Sequence, residues 1–120
     1  MSETVHREII TTHINADFDA LSSMVAAKKL YPDATIVFPG SQEKNLRNFF
    51  IHSLSYLFSF ARAKQIDLDT VERLILVDTR QKDRIGKFAE IVGREGLEIH
   101  IYDHHPPSKS DVKGDIEIAL

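Results

Sequence analysis

Glu8-Ile9-Ile10-Thr11-Thr12-His13-Ile14-Asn15-Ala16-Asp17-Phe18-Asp19-Ala20-Leu21 is the stretch that decides the fold. It opens with a short β-branched run, Glu8 to Thr12, which reads as a strand. It passes through His13, Asp17 and Asp19 and enters a helical pattern from Asp17 to Tyr31. There Leu21, Met24, Val25 and Leu30 are spaced for a buried stripe. Lys28 and Lys29 suit the negative end of the helix dipole, and Pro32-Asp33 stops the helix. A polar cluster at the C-terminal end of a strand is where ligands bind in an open α/β sheet.

The same pattern recurs along the chain. Leu74 to Val77 is a wholly apolar strand ending at Asp78, and Leu97 to Tyr102 is another, ending at Asp103-His104-His105. Between them lie a strand from Thr35 to Phe38, closed by Pro39-Gly40, and a helix from Glu43 to about Gln65, with a break near Ser53 or Ser59. Asp83 to Gly93 reads as a further helix, ended by Gly93 or Gly96. Pro106-Pro107 forces a loop, and Ile116 to Leu120 begins a fifth strand. Strands alternating with helices imply right-handed crossovers. The expected fold is therefore α/β, a mostly parallel sheet with helices on both faces.

Composition sets the limits. A chain of 120 residues supports one core, so residues 1–120 are expected to form one domain. The net charge of −3 gives no electrostatic case for broad nucleic-acid binding, although bound cations would change the sign of a site locally. The absence of cysteine excludes disulfides and cysteine-ligated zinc, and it fits a reducing compartment. No apolar run approaches membrane-spanning length, and the start lacks the order of a signal peptide, so a cytoplasmic location is expected. The apolar ending Ile116-Glu117-Ile118-Ala119-Leu120 has no polar tail, so the chain is expected either to be a fragment of a longer protein or to complete its last strand through contacts the sequence does not show.

The chemistry follows from which residues reach that one sheet edge. The turn after the first strand can aim the imidazole of His13 and the carboxylates of Asp17 and Asp19 into one cleft. Asp78, from another strand end, can bridge two cations with its two oxygens. His104 or His105 supplies an imidazole from a third strand end. Mixed imidazole and carboxylate ligation suits Mn²⁺, with Mg²⁺, Fe²⁺ or Co²⁺ as alternatives. A pair of such cations clamps a phosphoryl group and acidifies water, so the reaction class is hydrolysis of a phosphate ester or anhydride.

At these residues the chain resembles the DHH phosphoesterases. His13-Ile14-Asn15-Ala16-Asp17-Phe18-Asp19-Ala20, Leu76-Val77-Asp78-Thr79 and Asp103-His104-His105-Pro106 look like the family's first three motifs. The family includes RecJ-type exonucleases, family II inorganic pyrophosphatases, oligoribonucleases and cyclic-dinucleotide phosphodiesterases. The resemblance implies that His13 and Asp17 hold a first metal, Asp78 bridges, and Asp19 and His104 hold a second. It further implies that His105 meets substrate phosphate and that Asp103 orients the histidines. The catalytic set so implied is Asp78, His104 and His105. The stretch from Thr12 to Ser23, with Ala26 to Pro32, is similar to the N-terminal DHH domain of long bacterial proteins that also carry CBS domains and a tRNA nucleotidyltransferase domain. That similarity implies RNA or tRNA as a partner of the full-length protein. Small phosphates or short oligonucleotides are the implied substrates.

Departures from the family pattern and plainer readings stand beside this one. Phe18 occupies a position where many members have glycine. The family's fourth motif, an aspartate well beyond the third, is not expected within residues 1–120, since Asp111 and Asp115 lie too near His105. The family's C-terminal substrate-binding domain is likewise not expected here. Asp19 can serve as a helix N-cap or first-turn acid, and Asp78 can open a turn. Arg80, Lys82 and Arg84 can meet phosphates or form a solvated helix start, with Arg80 the candidate substrate contact. His6 is expected in an unordered start, and His52 and His100 read as structural or surface groups. The aromatic crowd from Phe49 to Phe60 reads as a buried helix, with Phe58 and Phe60 as candidates for docking onto a further domain or a second copy of the chain. Two functions stay open: a metal-dependent phosphoesterase, or a non-catalytic nucleotide-binding module of a larger tRNA-processing protein.

Overall fold

The structure is a computed structural model that describes residues 5–49, 60–106, 108–109 and 111–119. Among the described residues six parallel strands form one sheet: β1 (Glu8–Thr11), β2 (Thr35–Phe38), β3 (Phe60–Arg62), β4 (Arg73–Val77), β5 (Glu98–Tyr102) and β6 (Ile116–Ile118). Their spatial order is β3-β2-β1-β4-β5-β6. The chain winds outward from β1 to one edge, returns, and winds outward from β4 to the other. The direction therefore reverses between β1 and β4, which are paired Ile9 with Leu74 and Ile10 with Ile75. Loops leaving these two strand ends in opposite directions open a crevice there.

The sheet is apolar on both faces, as a parallel sheet must be. On one face, Ile10, Ile36, Ile75 and Val77 pack under helix α1 (Phe18–Leu30), which contributes Ala20, Leu21, Met24 and Ala27. On the other face, Ile9, Leu74, Leu76, Ile99 and Ile101 pack against Ile85, Phe88 and Ile91. Two buried hydroxyls tie the end of β1 to its neighbours. Thr11 Oγ1 donates to the Val37 carbonyl at 2.6 Å, and Thr12 Oγ1 donates to the Val77 carbonyl at 2.7 Å. Each satisfies a polar group that would otherwise be costly to bury.

Several expectations need correction. Leu30 is 65% exposed, because the buried stripe of α1 runs through Ala20, Met24 and Ala27 and Leu30 falls off that face. The segment from Asp83 to Gly93 forms two short 3-10 turns, Lys82–Arg84 and Gly86–Ile91, in place of an α-helix. Gly86 interrupts it with a φ of +60°, and a Cβ there would lie 2.5 Å from the Pro39 carbonyl oxygen. The helix expected from Glu43 to Gln65 starts as α2 (Lys44–Phe49), but Phe60–Arg62 is extended as β3 and Ala63–Gln65 is a 3-10 turn. Phe60 stacks on Phe38 across the β2–β3 pair, with ring centroids 5.8 Å apart. His52, Phe58 and the proposed breaks at Ser53 and Ser59 lie outside the described residues. His6 is not in an unordered start: its Nδ1 lies 2.9 Å from Thr35 Oγ1. Among the described residues, no helix is long and apolar enough to cross a membrane.

Candidate metal centre

The loop after β1 is held by its neighbours on both sides. The Ile14 amide donates to the Arg84 carbonyl at 2.7 Å, the Asn15 amide to Ser41 at 2.8 Å, and the Glu43 amide to Ala16 at 2.9 Å. His13 is 8% exposed, and its Nδ1 lies 2.9 Å from the Ile14 carbonyl oxygen. A carbonyl can only accept, so Nδ1 carries the proton and a neutral ring presents its Nε2 lone pair. That Nε2 lies 3.4 Å from Asp78 Oδ2. Two lone-pair atoms facing each other so closely repel unless a proton or a cation shares the space between them. The donor chemistry thus fits a divalent cation.

Asp78 directly follows β4 and lies in the left-handed region, with a φ of +59°. This conformation is costly for residues with a Cβ and least so for Asp and Asn. Its amide donates to the Tyr102 carbonyl at 2.9 Å, which secures the turn. Asp17 is the N-cap of α1, its Oδ1 accepting from the Ala20 amide at 2.9 Å. Capping uses one carboxylate oxygen and leaves the other for the cleft. The N-cap is therefore Asp17, and Asp19 is an acid of the first turn.

From the end of β5, Asp103 is almost fully buried while His104 and His105 are exposed. The two imidazoles stack with centroids 4.6 Å apart. Asp103 Oδ1 lies 2.5 Å from His105 Nδ1, and its Oδ2 lies 3.3 Å from Arg80 Nε. Arg80 also reaches Glu117 on β6, at 3.1 Å.

These residues line one cleft of about 370 Å³, together with Asp19, Thr79, Gln81, Arg84, Pro106 and Asp111. Two groups of donors converge within it. His13, Asp17 and Asp78 each offer an atom within 4.8 Å of the others, and so do Asp78, Asp103, His104 and His105. Asp78 belongs to both. Asp19 lines the cleft but stands outside both groups. Thr79, Gln81 and Asp111 were not marked as cleft residues by the sequence. Asp111 gets there through the antiparallel bridge between Gln81 and Asp111, a long-range pairing with no local signal. The Ser108 amide and then the Ser108 hydroxyl donate to Asp111 and hold its carboxyl below the usual range, which ties it to the turn.

Comparison with known proteins identifies the family and the fold. The model of the DHH family, N-terminal domain, matches residues 7–118. The A-adding tRNA nucleotidyltransferase of Geobacter sulfurreducens is 53% identical over 106 residues, which cover 88% of this chain and 12% of that protein. The chain thus spans about an eighth of the length of that relative. The crystal structure of an exopolyphosphatase-related protein from Bacteroides fragilis superimposes with a TM-score of 0.61 at 17% identity, over 94% of this chain and 34% of that one. At that identity the likeness speaks to the fold alone.

Proposed function

The chain belongs to the DHH family as an N-terminal domain, and from that premise we propose that it is a metal-dependent phosphoesterase domain acting on small phosphates or short oligonucleotides. The observation that carries the proposal is the sharing of Asp78 between two donor groups at the sheet's reversal point. In this reading His13, Asp17 and Asp78 would hold one cation, and Asp78, His104 and Asp19 would hold a second, with Mn²⁺ the preferred ion. Asp19 would have to move toward the second group or reach it through water. Such cations, when bound, polarise a phosphoryl oxygen and acidify water.

The remaining steps belong to the side chains. With Nδ1 turned to the Ile14 carbonyl, the neutral form of His13 presents Nε2, the nitrogen that faces Asp78. Asp103 fixes the Nδ1 side of His105, so His105 presents Nε2 to substrate phosphate or to the leaving oxygen. Asp17 fastens the loop to α1 and so limits its recoil when charge develops at phosphorus.

Calorimetry with Mn²⁺ tests the site directly. Two ions per chain in the wild type and none in Asp78→Asn are expected; equal binding by both would falsify the bridging role. Hydrolysis of a short oligonucleotide, lost in Asp78→Asn, tests the activity.

A second reading draws on the relative named as a tRNA nucleotidyltransferase, of which this chain spans 12%. Here the domain serves a longer polypeptide as a nucleotide-binding or regulatory unit, with RNA or tRNA as partner and further domains docking onto it. The full-length protein separates the two. Phosphodiesterase activity that disappears in Asp78→Asn favours the first reading. Unchanged tRNA 3′-end addition without phosphodiesterase activity favours the second.

A further inference from the structure

Arg80 follows Asp78 closely in sequence and lines the cleft, which makes it look like a phosphate ligand. Its guanidinium is nevertheless committed elsewhere. Nε lies 3.3 Å from Asp103 Oδ2, and a terminal nitrogen lies 3.1 Å from Glu117 Oε1 on β6. The Arg80 side chain is 14% exposed and that of Asp103 is 0% exposed. The backbone is fixed as well, since the Arg80 carbonyl accepts from the Val112 amide at 2.7 Å.

Asp103 is the more telling partner. It offers an oxygen within 4.8 Å of donor atoms on Asp78, His104 and His105. A buried carboxylate that close to other donor atoms would join them around a bound cation unless other groups claim it. Here both oxygens are claimed, one by His105 and one by Arg80. Building on the dinuclear reading, we propose that Arg80 is a positioning residue. It holds Asp103 out of the metal shell and thereby keeps Asp103 as the group that orients His105. The arginine acts through a chain running Glu117–Arg80–Asp103–His105, from the edge strand to the substrate side of the cleft. Without it, Asp103 turns toward the cations, adds a negative ligand and releases His105.

The test measures two affinities on this chain, Mn²⁺ alone and inorganic phosphate with Mn²⁺ present. The variants are Arg80→Gln and Arg80→Lys, each with and without Asp103→Asn. Arg80→Gln should bind Mn²⁺ about tenfold tighter and phosphate about tenfold weaker, the scale on which groups behind metal ligands act. Arg80→Lys, which keeps charge and bulk but not the planar fork, should fall between, and it carries the test if Arg80→Gln does not fold. In the Asp103→Asn background the effect of Arg80→Gln on Mn²⁺ affinity should vanish. Loss of a positive charge alone would tighten Mn²⁺ binding in both backgrounds, and that outcome overturns the proposal. Weaker phosphate binding with unaltered Mn²⁺ affinity would make Arg80 a direct substrate contact and overturns it too. A wild-type chain that binds no Mn²⁺ would sink the dinuclear reading and this proposal together, a different result from intact binding that ignores Arg80.

Discussion

Asp78 shows how one residue can carry both strain and chemistry. Its φ of +59° aims the carboxylate into the cleft, at a conformational cost of about 1–2 kcal/mol that Asp and Asn bear more lightly than other residues with a Cβ. Asp78→Asn keeps that tolerance and the side-chain shape but removes the charge. Urea unfolding without metal should therefore find Asp78→Asn within about 0.5 kcal/mol of the wild type and Asp78→Ala lower by roughly 1–2 kcal/mol. Equal stability of the two variants would show that the turn stores no such strain. That His13, Asp78 and His104 gather at one edge of the sheet was legible in the sequence, because they follow apolar runs where packing gives no reason for them. The engagement of Arg80 was not legible. It depends on Glu117, which reaches the site only once β6 has joined the sheet.

Between elements, Gly86 and Tyr31 make the contacts that local sequence does not announce. The positive φ of Gly86 and its approach to the Pro39 carbonyl leave no room for a side chain. Gly86→Ala should cost about 1–3 kcal/mol in thermal or urea unfolding. Because the neighbouring Arg84 carbonyl anchors Ile14, it should also weaken Mn²⁺ binding at His13. Unchanged stability would mean that the 3-10 turn shifts freely. Tyr31, at the C-terminal end of α1, lies 2.6 Å from both His100 Nδ1 and Tyr102 Oη. Burial, followed by the Tyr102 hydrogen bond, pushes its phenol above the ordinary value of 10.0. A raised pKa favours the protonated form in the folded state. That contribution is complete below the unfolded pKa and is lost as pH rises through the folded one. Melting temperature should accordingly fall more steeply above about pH 10 in the wild type than in Tyr31→Phe. Parallel curves would dissociate the network from alkaline stability. The sequence marked α1 well because its capping Asp17, apolar stripe and Pro32 agree. It misplaced β3 because a three-residue edge strand is defined by pairing with β2, and no period can develop over so short a run.

For the whole molecule, the reversal of winding between β1 and β4 matters most. It brings together donors that are far apart in sequence, so metal and fold should be thermodynamically linked. Mn²⁺ at about 100 times its dissociation constant should stabilise the chain by about 2.7 kcal/mol per site, visible as a higher melting temperature that a chelator reverses. The same addition to Asp78→Asn should leave the melting temperature unmoved. A rise in both would place the ion elsewhere. At this scale the alternation of strand and helix sufficed to read the fold class. The strand order was not legible, since either direction of winding is compatible with the same elements.

By itself the sequence determined the fold class, the ends of β1, β2, β4 and β5 to within a residue, and the imidazoles and carboxylates that follow β1, β4 and β5. These depend on apolar runs and chain direction, which are local. The tertiary structure alone decided that Asp78 belongs to two donor groups, that Asp103 is buried between Arg80 and His105, and that Asp111 enters the cleft. Each of these rests on contacts between segments distant in sequence, and such contacts exist only after the sheet has assembled.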